Sequence, residues 1–541
     1  MTQKQKSIVS GVSILGVAGI ICKVVGVLYR IPLTNIITQD GMGVYSTVYP
    51  TYNLLLAISS AGLPVAISRM MAHYITRQDP RNARRIFQVA LRMLLILGTL
   101  TSVAMFFLAD KLAASHHDPD TRWGFMAIAP SLFFVCAMSA YRGFLQGQRN
   151  MVPTAVSQLI EQIGHVFVAL PLAWLGIRQG EFPNIALGVA GALLGSTIAE
   201  GPALIYMLFQ HRRSVRALEG LQQDEKAKPL EFWPIVGKLM LVAVPITLGA
   251  CIVPLAGFID SHMIRPLMEN AGIDPGVARI LYGAYTGPVI TLINVPTAIA
   301  MAMGTNLVPA VAAGLARKDR AYVAGETGIG LRMAAVVGFP CSVGMSILAK
   351  PILYLCYRSG YEVQYLNIAA ELLQVSAMTI VLFTMVQATS GILQGAGKQY
   401  IPMITLVIGV AMKIALNYSL VSNPDINIHG APWASLLCYT VSMVPNLYYV
   451  CKCTGYRFRV TDIVIKPLLC AVLMGETVYA LWHFVFGDPG RLNGLVLVTG
   501  ILLCVFVGVI VYVVTALWIR AVNVENLPGK AQRIIRRFMR T

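Results

Sequence analysis

Lys23 and Arg30 lie seven residues apart in the first apolar stretch of the chain. On a helix that spacing is two turns, so both side chains leave from one face about 10 Å apart. Gly26, between them, leaves room for a ligand, and two stacked cations suit a diphosphate. Arg30 as a simple anchor at the outer interface is the competing account. A second group follows on the fifth apolar stretch, where Ser157, Gln158, Glu161, Gln162 and His165 fall within an arc of about 140° at 100° per residue. That stripe suits sugar hydroxyls or a neighbouring helix equally well. Arg142, at the cytoplasmic mouth of the fourth stretch, stands ready either to pair with Glu161 or to receive a phosphate, with anchoring at the interface as the competing account.

Other charges sit where the surroundings are apolar, and an ionisable group near mid-bilayer costs at least about 2.5–3.5 kcal/mol. Arg92 and Lys350 are near enough to the ends of their stretches to snorkel. Lys23 is about 24 Å from the inner end of its stretch at 1.5 Å per residue, and Lys413 is similarly deep in the eleventh, so both read as cavity-lining. Asp260 ends the seventh stretch, which suggests capping or solvent exposure. Glu200, Glu371 and Glu476 are further acids within apolar stretches, any one of which would serve to carry a coupling proton. Asp118 and Asp120 form a D-x-D that reads as a solvated outer loop. The ten cysteines are scattered, and Cys451 with Cys453 falls short of a four-ligand zinc site. The chain has no Walker A loop, dinucleotide fingerprint, HExxH or nucleophile elbow. The expectation is a protein that binds rather than an enzyme, with no cofactor.

The elements that must position these residues are membrane helices. Of 541 residues 56% are hydrophobic and only 12% charged, whereas soluble domains carry roughly 25% charge. Fourteen stretches are long enough to cross a hydrocarbon core, at 7–29, 43–67, 86–109, 123–146, 155–178, 184–209, 236–259, 279–306, 331–357, 364–388, 400–420, 429–450, 464–486 and 493–519. Each reads as a helix because backbone groups in lipid must be satisfied within the segment. Pro50, Pro64, Pro288, Pro296 and Pro340 fall inside these stretches and predict kinks. The first stretch runs on into Lys23 and Arg30 without a cleavage site, so it is expected to be retained.

The net charge of +18 reports topology rather than nucleic acid. With the N-terminus inside, thirty of the 42 Lys and Arg residues fall in cytoplasmic segments and eight in outer loops. That asymmetry places both termini in the cytoplasm and the basic excess against anionic headgroups. The longest connection, 211–235, is too short for a soluble domain.

The chain also repeats itself. Gly143-Phe144-Leu145-Gln146-Gly147 recurs as Gly391-Ile392-Leu393-Gln394-Gly395, followed by Pro153 and Pro402. Leu91-Arg92-Met93 recurs as Leu331-Arg332-Met333, and Leu63-Pro64 echoes in Val308-Pro309. Matching spans are six apart, an even number, so the repeat is parallel rather than inverted. The expected layout is an N-terminal lobe over 1–210, a linker over 211–235, a C-terminal lobe over 236–455, and two extra helices with a basic tail over 456–541.

The run from Tyr141 to Gly147, with Pro153, Ser157-Gln158, Glu161-Gln162, Gly62-Leu63-Pro64-Val65-Ala66-Ile67-Ser68 and the Leu393-Gln394-Gly395 to Pro402 echo, resembles the polysaccharide-exporter branch of the MOP superfamily. More narrowly it is similar to the group holding stage V sporulation protein B and the Gram-positive lipid II flippases of MurJ type. The resemblance covers nearly the whole chain. It implies an all-α integral membrane protein of MATE-like fold with fourteen helices, twelve in two six-helix lobes and two forming a groove for a lipid tail. It implies flipping of an undecaprenyl-diphosphate-linked glycan, lipid II first among them, across the bacterial cytoplasmic membrane, with membrane lipids and cell-wall synthesis proteins as partners. Membrane potential, protons or sodium would drive it.

Gram-negative MurJ-type proteins place cavity arginines on spans 1, 2 and 8, but here the membrane portions of spans 2 and 8 carry no charge. Only Lys23 and Arg30 carry over. Some relatives hold sodium between spans 7 and 11, where this chain offers Lys413 and Asn417, with Asp260 across from them. A cation or drug antiporter and an exporter of another lipid-linked oligosaccharide are the rival readings. A glycan polymerase would need a larger outer loop, and a non-transporting scaffold leaves no sequence mark.

Overall fold

The computed structural model describes residues 3–77, 79–179, 184–219 and 230–521. Residues 220–229 of the expected linker and the basic tail beyond 521 lie outside them, as do the side chains of Lys4 and Lys6. The described chain is helical, and it gathers into two compact units, Met1–Gly287 and Pro288–Thr541.

The first unit holds α1 (Gln3–Ser60), α2 (Leu63–Thr76), α3 (Pro80–Phe107), α4 (Ala109–Ser115), α5 (Thr121–Gly147), α6 (Val152–Gly164), α7 (Leu170–Ile177), α8 (Ile185–Glu219), α9 (Phe232–Asn270) and α10 (Pro275–Ala284). The first two apolar stretches run together in α1, broken at Thr38, whose backbone is φ 64, ψ −178. Pro64, expected as a kink inside a span, instead opens α2. At Gly62, where the chain parts, the backbone of Ala243 on α9 passes too close for a Cβ. A first-turn proline has no intrahelical donor to lose, so the break at this point is cheap. Asp79 then caps α3, accepting from the Asn82 amide at 3.0 Å.

The seventh stretch also differs from expectation. The connection read as a loop over 260–278 is largely helix, because α9 continues to Asn270. Its polar end is stabilised by ion pairs described below rather than by lipid.

The second unit holds α11 (Ile290–Ala316), α12 (Arg320–Ile347), α13 (Ala349–Tyr357), α14 (Val363–Ala377), α15 (Thr379–Gly395), α16 (Tyr400–Val421), α17 (Gly430–Thr454), α18 (Lys466–Leu481) and α19 (Gly494–Trp518). The last two pack on α12 and α13 through Met474, Val478, Trp482 and Cys504. Tyr512 donates to the Val336 carbonyl at 2.9 Å. Lys466 pairs with Asp462 at 2.6 Å, and Arg332 reaches the same carboxylate at 3.8 Å. The opposite face of α19, including Leu502, Phe506 and Val509, is exposed.

Among the described residues, twelve segments are long and apolar enough to cross a membrane, so the protein is a multi-pass membrane protein. One of them, Ile21–Thr76, joins two of the expected crossings, and the 429–450 stretch forms α17 but is not among the twelve.

Lipid tails are as apolar as leucine, so helices in a membrane are held by close packing of small residues. The repeat motif supplies it. In the first unit a Cβ on Gly143 would come within 2.8 Å of the Pro64 carbonyl, and one on Gly147 within 3.0 Å of the Ser68 carbonyl. In the second unit Gly391 presses on the Gly304 carbonyl, and a Cβ on Gly395 would meet that of Val308 at 2.6 Å. Pro64 with Gly304 and Ser68 with Val308 keep the same offset in sequence as Arg92 with Arg332. The repeated glycines therefore do the same packing job in each unit.

Candidate functional site

The polar residues of the first unit converge on α1, α5, α6 and α8. Lys23 is exposed on α1. Arg30, two turns on, is half-buried, with its guanidinium 5.6 Å from the Tyr45 ring centre and 5.5 Å from that of Tyr49. A cation over an aromatic face is attracted by the ring quadrupole. Tyr45 stacks on Tyr49 at 5.3 Å, and Tyr49 meets Tyr52 at 5.8 Å. The three tyrosines lie at i, i+4 and i+7 and so share one face of α1. Their spacing was readable as a stripe, yet the sequence reading passed over it.

Gly26 was expected to leave room for a ligand. That room is taken by Gln162 of α6, whose Oε1 would stand 3.3 Å from a Cβ at Gly26. Gln162 therefore reaches the cationic face of α1 between Lys23 and Arg30. The ring of His165, one turn further along α6, lies 5.6 Å from Tyr29. The polar stripe thus faces a neighbouring helix, as one of its two readings required, and Gln162 joins it to the cations. Gln158 is half-buried on the same helix.

Arg142 is already engaged. Its guanidinium forms an ion pair with Glu161, and its Nε and Nη2 donate to Ser157 Oγ at 3.1 and 3.0 Å. Both members of the pair are mostly buried, at 14% and 17% side-chain exposure, so the pair is shielded from solvent screening. Of its two expected partners, Arg142 has taken the carboxylate.

The three acids of the apolar stretches part company here. Glu371 pairs with His429 at 3.1 Å in an exposed setting, and Glu476 is exposed. Glu200 is buried, and it accepts from Ser131 Oγ at 2.6 Å, which in turn shares a hydrogen bond of 2.7 Å with the Tyr52 hydroxyl. Lys350 pairs with Asp488 at 3.3 Å, and Arg92 is exposed. Asp260 belongs to the first unit; Lys413, half-buried, and Asn417, buried, lie one turn apart on α16 of the second. Asp260 is buried within α9 rather than solvent-exposed at a helix end.

A second polar cluster corrects the D-x-D reading. Asp118 is buried, not solvated, and receives Arg265 Nη1 at 2.9 Å with side-chain exposures of 4% and 3%. Arg279 reaches Asp118 and Asp40, each at 3.4 Å, and Asp120 at 2.9 Å. Three aspartates and two arginines from distant parts of the sequence thus fasten α9 and α10 to the rest of the first unit. Beside them His116 packs on His262 with ring centres 3.8 Å apart. Burial, with the His262 ring and Arg265 adding to it, pushes the His116 imidazole down to about 3. Among the described residues, no group of three His, Cys, Asp or Glu side chains is arranged to hold a metal ion.

Comparison with known proteins agrees with this architecture. The chain is 26% identical to stage V sporulation protein B of Bacillus subtilis (strain 168) over 433 residues, covering 80% of this chain and 81% of that protein. It is 24% identical to lipid II flippase MurJ of the same organism over 506 residues, covering 90% and 91%. Among solved structures, the inward closed conformation of lipid II flippase MurJ superposes with a TM-score of 0.70 at 13% identity, over 94% of this chain and 98% of that one. An inward-facing multidrug resistance MATE transporter of the MOP superfamily superposes with a TM-score of 0.63 at 16% identity, over 80% and 94%. Residues 245–419 match the MatE family. Residues 8–314 match the family described as polysaccharide biosynthesis protein, and the chain belongs to that family.

Proposed function

We propose that the protein is a flippase that moves an undecaprenyl-diphosphate-linked glycan, lipid II in the first instance, across the bacterial cytoplasmic membrane by alternating access. The observation that carries this reading is the Arg30 guanidinium set on Tyr45 and Tyr49, with Lys23 and Gln162 on the same face of α1. A diphosphate sugar cannot cross hydrocarbon, because each uncompensated charge or hydroxyl costs several kcal/mol. Cations, amides and aromatic faces replace its water, while the prenyl tail stays in lipid along the exposed side of α19. No bond in the substrate is made or broken.

In this reading the chain crosses fourteen times with both termini in the cytoplasm, and Lys413, Asn417 and Asp260 serve ion coupling. The length of shared sequence with the MurJ relative supports it. The match to the MatE family supports a drug-antiporter reading as the second account.

The test is a reconstituted lipid II flippase assay. Lys23→Ala with Arg30→Ala should abolish transport while membrane insertion stays normal. Full flipping by the double variant would overturn the site, and drug efflux without lipid flipping would favour the antiporter.

A further inference from the structure

Glu200 is the one acid of the three intramembrane candidates that is fully enclosed. It lies midway along the 32-residue apolar segment Ile185–Arg216 with 5% exposure. Its Oε1 accepts from Ser131, while Oε2 is buried without a hydrogen-bond partner. A carboxylate in such a place requires a cation or several donors, since its uncompensated burial costs several kcal/mol.

The surroundings offer only the hydroxyls of Ser131 and Tyr52 and give the carboxylate no cation of its own. From α1 the group facing it is Tyr52, and from α5 come Ser131, Cys136 and Arg142. From α6 it is Glu161, a second acid. The titratable group nearby on the following helical turn is His165, whose ring lies against Tyr29; α7 carries none. Arg142 is the only cation in this set, and it is committed to Glu161 and Ser157. The environment fits a neutral carboxylic acid, with its proton on Oε2.

We propose that Glu200 is a proton-binding site in the first unit, and that Tyr52 and Ser131 form the hydrogen-bonded route by which its occupancy is felt on the tyrosine face that holds Arg30. Release requires only that the Oε2 proton pass to water and that the carboxylate then gain donors, which a rearrangement of Tyr52 and Ser131 supplies. Chemically the site takes a proton alone. The link from this site to transport rests on the flippase reading; the proton site itself does not.

The full chain in lipid nanodiscs, studied by infrared difference spectroscopy at pH 7, tests the two parts separately. The carbonyl band of a neutral carboxyl should be present, should shift in deuterium oxide, and should vanish in Glu200→Gln. Ser131→Ala keeps the acid and should move the band as its hydrogen bond is lost, which preserves the test should Glu200→Gln fail to insert. Identical spectra for the wild-type protein and Glu200→Gln, or a band unmoved in both Ser131→Ala and deuterium oxide, would overturn the proton site. In liposomes, Glu200→Gln should remove the dependence of lipid flipping on an imposed pH gradient. A band that behaves as described alongside unchanged gradient dependence would overturn the coupling and leave the site standing.

Discussion

Replacing Asp118 with asparagine would strand Arg265, a guanidinium at 4% exposure that otherwise meets Glu269 at 3.9 Å. Removing one member of a buried pair costs about 3–5 kcal/mol, because the survivor keeps its desolvation and loses its compensation. Solvent screening gives little relief here, since Asp118 is itself 3% exposed. Arg279 loses one contact as well but keeps Asp120 and Asp40, so the loss is centred on Arg265. Arg265→Met should cost less, because Asp118 keeps Arg279 at 3.4 Å. The double variant buries neither charge, so it should be more stable than the sum of the single effects implies by about 1.5–3 kcal/mol. Equilibrium unfolding of the four proteins in mixed micelles measures this directly. Single effects that add to within about 0.5 kcal/mol would refute the claim that the two side chains form one buried electrostatic unit.

Gly391→Ala should destabilise by about 1–3 kcal/mol through overpacking on the Gly304 backbone, with Gly143→Ala similar in the first unit; Gly201→Ala, which meets nothing within 4 Å, is the matched control in thermal melts. His116 should make stability fall with acid: its folded value of about 3 lies below the unfolded value of about 6.5, so the stabilisation is complete above the unfolded value and is lost as pH falls through that window. His116→Leu should flatten that part of the melting profile between pH 7 and 5. Arg142→Ala should be more damaging than Arg142→Ala combined with Glu161→Gln, because the double variant leaves no uncompensated carboxylate; equal melting temperatures would contradict the pairing.

Much of the helical plan was legible because membrane spans must be apolar along their whole length, a signal that survives any tertiary arrangement. Boundaries failed where polar residues extend a helix beyond the lipid. Arg265 and Glu269 look like loop residues until Arg265 is seen to pair with both Asp118 and Glu269. The D-x-D was misread for the same reason, since its partners lie far off in sequence and no local pattern reports them. Spacing puts Lys23 and Arg30 on one helix face, but it does not single out the tyrosines beside Arg30, because Tyr45, Tyr49 and Tyr52 pass as an ordinary aromatic stripe. Pairing of Arg142 with Glu161 was one of two open readings; burial decided it, and sequence alone does not report burial.

Thr38 stands at φ 64, ψ −178, a conformation essentially reserved for glycine. A β-branched residue held there represents about 1–3 kcal/mol of tension, and the next acidic residue along, Asp40, is tethered by Arg279. The bend in α1 is therefore a loaded joint with a clasp beside it. Cutting the clasp would let the joint relax, whereas glycine at position 38 would leave the clasp nothing to restrain.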